Sequence, residues 1–400
     1  MRPDRCCARH LSNQGSVLVI LLAFSAVVAV LGAGMITLGY QSRVRVTKTV
    51  QHMAARVAAD AGLSKAIHTL TAQFYDGSLD PLTLPSETDV AIPNSQEEFT
   101  YTISLDGAAR YVIVSTGTCR SAQASVEAVM AVAPVVHKHA LLTQGDLTLG
   151  SSAVVDSYND DGSGTPLQIA TNSTSANAIT LYRGAYVDGD VLVGSGGDPL
   201  EGIESRGGSY AGTAGTQSVN AAIPSVVVPD YLAAAASEGR ITSDVTMTDS
   251  GKYDRINLGN SETLVIDGAV ELYVTGDVTL GSGARIEIRE GASLVLYVDG
   301  DIEYKTGSQI DNLTGDPRRF KIMGTDSCGA VELKNAGDMY AVIYAPQADV
   351  TLYNSATIWG SVTSKTAELK GRAVFHYDAS LASYEDPLLS QLKLTGWREY

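Results

Sequence analysis

The sequence predicts an α+β chain: a long N-terminal transmembrane helix, a small β meander, then an all-β C-terminal region coiled as a parallel β-helix or solenoid. Three observations predict this. No charged residue occurs from Leu11 to Ser42. Apolar residues alternate with period two between residues 98 and 134. From Ala140 onward, short aliphatic strands recur between Gly, Asn and Asp turns.

The apolar run comes first. Val17 to Leu38 is built mainly of Val, Leu, Ile, Ala and Gly. As a helix it spans about 33 Å, enough for a hydrocarbon core of about 30 Å. A secretory apolar core is about 7–15 residues, so this run is too long for a simple signal peptide. Arg2, Arg5 and Arg9 flank one end and Arg43, Arg45 and Lys48 the other, so the positive-inside count is balanced. Gln41 to Phe74 contains no Pro. Val46, Val50, Met53, Val57, Ala61, Ile67, Leu70 and Phe74 form a helical stripe there. The Ala-rich stretch 53–70 favours helix. One rod of roughly 55 residues is expected, a signal anchor without extension being the alternative.

Residues 76–97 read as an acidic loop punctuated by Pro81, Pro85 and Pro93. Three strands follow. Phe99, Tyr101 and Ile103 share a face, as do Tyr111, Ile113 and Ser115 after an Asp106-Gly107 turn, then Val126, Ala128 and Met130. Beyond residue 140, Gly-Asp-aliphatic recurs at Gly145, Gly189, Gly276 and Gly300. Val350, Ala356, Val362, Ala367 and Ala373 keep a near-six-residue rhythm, as do Val274, Leu280 and Ile286. Such spacing suits stacked parallel coils. A sandwich of short hairpins is the runner-up.

Composition narrows the function. The chain has 400 residues and a net charge of −16, with 18% charged and 44% hydrophobic residues. A nucleic-acid partner is not expected at that charge. Residues 1–48 hold six basic residues against Asp4 alone, so the acid excess lies downstream. A basic head on an acidic body is the pattern of an anchored protein with a soluble domain.

Candidate chemistry is sparse. His137 and His139, two apart, would share a strand face and could bind a metal, but no third ligand stands nearby. His376 and Asp378 would share a face and could do acid–base work, but no nucleophile motif accompanies them. Asp156, Asn159, Asp160 and Asp161 form a turn whose spacing fails the EF-hand pattern. Cys119 and Cys328 are left either to pair or to be two buried thiols. No catalytic, cofactor-binding or metal-ligating set is assigned, and the chain is read as non-enzymatic.

The junction Asn13-Gln14-Gly15-Ser16, followed by the aliphatic helix and the Ala-rich "AARVAADAGLSKAI", resembles the N-terminus of type IV prepilins, in particular PilX-type minor pilins. The resemblance implies leader removal between Gly15 and Ser16 by a prepilin peptidase. It implies an inner-membrane, single-pass protein with a cytoplasmic N-terminus. The C-terminal domain would be periplasmic, or extracellular on a pilus. Gly32, Ala33 and Gly34 would allow close packing against other pilin-like helices. Major pilins carry Glu where Ile20 stands, so a minor subunit is implied. Cys6 and Cys7 would leave with the leader. The later region, with Ala153–Tyr158, Ile343–Pro346 and Ala373–Asp378, resembles an uncharacterised bacterial envelope domain with bactofilin-like coils.

The expected layout is a leader 1–15, a transmembrane helix 16–40, a helical extension 41–75 and a β-meander neck 76–135. A solenoid 136–382 with a Gly-rich excursion 195–255, and a tail 383–400, complete it. The expected function is a minor pilin or pseudopilin displaying a solenoid for assembly, adhesion or contact with a surface polysaccharide or host surface. The alternatives are a membrane-anchored, polysaccharide-acting β-helix enzyme and a bactofilin-like polymer scaffold.

Overall fold

A computed structural model of the protein describes residues 14–75, 78–107, 109–159, 166–334, 338–353 and 356–400, with side chains from Leu18. The chain divides into two compact units. The first comprises the N-terminal helix as far as Ala72, residues 79–131 and the last seven residues. The second comprises residues 73–78 and 132–393.

In the first unit, helix α1 (Gln14–Tyr75) is one unbroken rod of 62 residues. Its first half is apolar and exposed. Its second half packs on an antiparallel sheet of β1 (Ser86–Ala91), β2 (Glu97–Leu105), β3 (Arg110–Cys119) and β4 (Ala122–Val136), in that order. The end of the strand Glu385–Glu399 lies beside β4, where Tyr400 N donates to Ser125 O at 3.0 Å. The three expected strands are β2 to β4, and the residues expected on their inner faces are buried. The loop expected at 76–97 contains β1, which pairs with β2.

The expected stripe is helical throughout, and its first four residues stay on the outside of the helix. Val46, Val50, Met53 and Val57 are all about 60% exposed or more. The face buried on the sheet is instead Ala55, Ala58, Ala59, Leu63, Ala66 and Leu70. Small side chains win because the backbones approach closely. A Cβ on Gly117 of β3 would lie 2.0 Å from Ala55 O, and one on Gly62 would lie 2.6 Å from the Phe99 ring. Larger aliphatic residues do not fit that contact.

The second unit is three ladders of parallel strands around one apolar core. One ladder runs Gly251–Tyr253, Ala269–Val274, Ser293–Val298, Phe320–Gly324, residues 342–345, then residues 361–364. It continues through Leu141–Thr143, Gln168–Thr171, Asp190–Val193 and Ala214–Thr216. Each rung returns in register with the one before, which requires connections that advance by one strand spacing. Among the described residues the ladder pairings between strands are parallel, with one isolated antiparallel bridge at Tyr182 and Gly207, which is not the pattern of a hairpin sandwich. Val350, Ala356, Val362, Ala367, Ala373, Val274, Leu280 and Ile286 are all buried.

The rungs are not stacked in chain order. The strands at 141–158 pair with those at 361–378, so the first part of the unit continues the last. The chain therefore has to return from Ala214–Thr216 to the far end, at Arg240–Ile241. Residues 217–239 make that return as a strap along the outside of the ladder just traced. Ala221 N donates to Asn172 Oδ1 at 3.0 Å, and Tyr344 OH donates to Pro224 O at 2.6 Å. Val226 and Leu232 are buried with Tyr297, Met323 and Tyr344. Tyr231 OH donates to Glu271 at 2.7 Å, and Glu238 N to Lys252 O at 2.8 Å. Within 195–255, expected as one excursion, residues 203–216 and 240–253 contribute ladder strands. The expected tail 383–400 contains the strand Glu385–Glu399.

Candidate functional site

The segment with the clearest functional character is the start of α1. From Leu18 to Tyr40 its large apolar side chains are half or more exposed. It is long and apolar enough to cross a membrane and fits a membrane anchor or a signal sequence. Gly32, Ala33 and Gly34 lie on it, and a Cβ on either glycine meets nothing within 4 Å. Gly15 and Ser16 fall in the first turn of α1, where only the backbone is described. The leader thiols Cys6 and Cys7 lie outside the described residues.

The second unit holds a buried ionic clasp that sequence reasoning missed. Asp386 is fully buried. Its carboxylate accepts from Lys321 Nζ at 2.7 Å, His137 Nε2 at 3.1 Å and Leu388 N at 3.0 Å. Burial pushes the Asp386 carboxyl up, but the His137 hydrogen bond and the Lys321 charge outweigh it and hold it at about 2. Lys321 Nζ also donates to Tyr384 OH at 3.0 Å. The clasp ties the entry and exit of the unit to one ladder strand. His137 and His139 do not share a strand as expected, because residues 137–139 lie in a connection. His137 is buried in the clasp. His139 is half-buried; desolvation, with the Lys138 charge, lowers its pKa to about 4.

His376 does not pair with Asp378. Its Nδ1 contacts the Asp156 carboxylate one rung away. Asp378 is buried and caps the following turn, accepting from Ser380 N at 3.0 Å and Asn159 Nδ2 at 3.0 Å. The parallel register places Tyr340, Trp359 and His376 at matching positions on successive rungs. Trp359 stacks on His376 with centroids 3.8 Å apart and on Tyr340 at 5.5 Å. Both faces of the indole are thereby covered, so the column binds its own rungs together rather than presenting a ring face. Tyr158 meets Trp359 edge-on at 4.7 Å, and burial beside Asp378 pushes its phenol pKa up. Asp160 and Asp161 of the expected acidic turn lie outside the described residues.

Cys119 and Cys328 are both buried free thiols, which settles the open pairing. Burial pushes the Cys328 thiol up to about 12, so it is inert. Among the described residues no group of three His, Cys, Asp or Glu side chains is placed to hold a metal ion. A cleft of about 760 Å³ in the second unit is lined by polar groups, including His139, Gln168, Gln217, Thr363 and Lys393, and by a similar share of apolar ones, including Val136, Leu142 and Leu192.

A family described as "Domain of unknown function (DUF7305)" matches residues 207–384. That region contains the strap and the ladders at 240–378 but leaves out the strands at 141–206. Among solved structures, the chain is similar to the competence-associated pilin ComZ from Thermus thermophilus at 13% identity and a TM-score of 0.25, covering 88% of this chain and 97% of that one. It is also similar to an ice-binding protein from the Antarctic ascomycete Antarctomyces psychrotrophicus at 12% identity and a TM-score of 0.24, covering 60% and 94%. No curated protein matches the chain.

Proposed function

We propose that this chain is a non-enzymatic cell-envelope protein of the type IV minor pilin or pseudopilin kind. Its apolar helix is processed between Gly15 and Ser16 and then packs among other pilin-like helices or stays in the inner membrane. The parallel ladders form a β-solenoid that is displayed for assembly, adhesion or surface contact. The observation that carries the reading is α1 itself. One continuous helix is bare and apolar in its first half and packs by an Ala-rich face on an antiparallel sheet in its second. A signal sequence has no need of such continuity. The physical role fits the side-chain chemistry, since His376 and Asp378 are each committed to structural contacts.

The test is Gly15→Val in the native cell. A branched side chain at the cut hinders close approach of a peptidase to the backbone. The variant is expected to keep its leader and to run larger than the wild type by the leader's fifteen residues. Equal lengths of the two would contradict the reading.

A further inference from the structure

The exposed stripe Val46, Val50, Met53 and Val57 is the unexplained feature of the first unit. It lies beyond the apolar run, where water-exposed aliphatic residues in a row mark a surface that is covered in use. At 3.6 residues per turn these four side chains fall within a narrow sector of α1, about opposite the Ala55 and Gly62 face held by the sheet. Their steps of four, three and four are those of a coiled-coil seam. The seam extends into the apolar run in the same phase. Gly32, Gly39, Val46 and Met53 follow at seven-residue steps, and so do Arg43, Val50 and Val57. The two glycines allow close helix approach inside a membrane, and the aliphatic residues fill the seam above it.

Arg43 identifies the occupant. It sits in the seam, is exposed, and makes no ion pair among the described residues. A second copy of this chain would set Arg43 against Arg43. The helix carries no carboxylate from Gln14 to Ala59 with which a copy could answer it. A single charged residue in a seam selects a partner of opposite charge at that level.

We propose that this seam docks the apolar helix of a different membrane-anchored subunit, which brings a carboxylate to the level of Arg43. The inference rests on the pilin-like reading above and adds the face, the register and the charge of the partner.

The test places a photo-cross-linking residue at Val50 or, as an off-seam control, at His52, in the full chain in its native membrane. Val50 is expected to yield an adduct with a distinct single-span subunit, and His52 is not. Arg43→Glu should lower that adduct about tenfold, the equivalent of about 1.4 kcal/mol. Reversing the partner's carboxylate to Lys should restore it. Equal adducts from both positions, an adduct of two copies of this chain, no adduct, or indifference to Arg43→Glu would each overturn the proposal. The N-terminal residue of the same material is read in parallel. A chain beginning at Ser16 without a seam adduct refutes the seam alone, and a chain beginning at Met1 refutes the pilin-like reading.

Discussion

Lys321 Nζ lies 2.7 Å from Asp386 Oδ1, with both side chains almost wholly shut off from solvent. The two residues are 65 positions apart, and His137, the third member, is 249 positions from Asp386. A buried pair of this kind is costly to break, because the remaining charge is stranded.

Asp386→Ala should therefore destabilise the second unit by about 3–5 kcal/mol. Trp359 is a natural reporter for that unit once Trp397, in the first, is replaced by Phe. Denaturant unfolding of the full chain in detergent, followed by the emission of Trp359, measures the loss. A change below about 1 kcal/mol, the range of an exposed pair, would show that the clasp is open in solution.

The same carboxylate sets an acid limit. Its folded pKa, about 2, lies below the unfolded value of about 3.9. The folded state thus holds fewer protons, and the contribution is complete above about pH 4 and lost as pH falls through about 2. The Trp359 unfolding midpoint should drop across that window in the wild type. It should drop less in Asp386→Asn, whose amide does not titrate. Parallel pH profiles for the two would refute the assignment.

Gly117→Val tests the contact between α1 and β3. The added side chain meets the Ala55 carbonyl, and overpacking costs about 1–3 kcal/mol or more where backbone must shift. Hydrogen exchange across β3 should accelerate. Gly32→Ala, with open space around it, should leave that exchange unchanged.

The strap joins the two parts of the stack covalently but does not pair them. The strands at 141–158 and 361–378 bond to each other directly. A protease site inserted after Ala235 should therefore give two fragments that stay together in native buffer and separate only in denaturant. Separation on cutting would place the cohesion in the strap.

The local periodicities of this chain were legible in its sequence. The inner-face residues of β2 to β4 and the six-residue rhythm at Val350 to Ala373 are set by side-chain direction within one strand or turn. The order of the rungs was not legible. Spacing shows that Leu147 is a ladder residue, yet only the register shows that it pairs with Ala367. The stripe at Val46 to Val57 was legible as helical, but which face of the helix packs on the sheet was not. That choice depended on Gly117, which sits on another element. The clasp was illegible for the same reason, since its three members come from distant segments.

The central claim is that α1 is a processed, assembling pilin-like helix. The most direct measurement is the N-terminal residue of the protein recovered from its native envelope, by mass spectrometry. The account predicts a mature chain beginning at Ser16. A chain still beginning at Met1, or one cut beyond Tyr40 so that the apolar helix is gone, would contradict it.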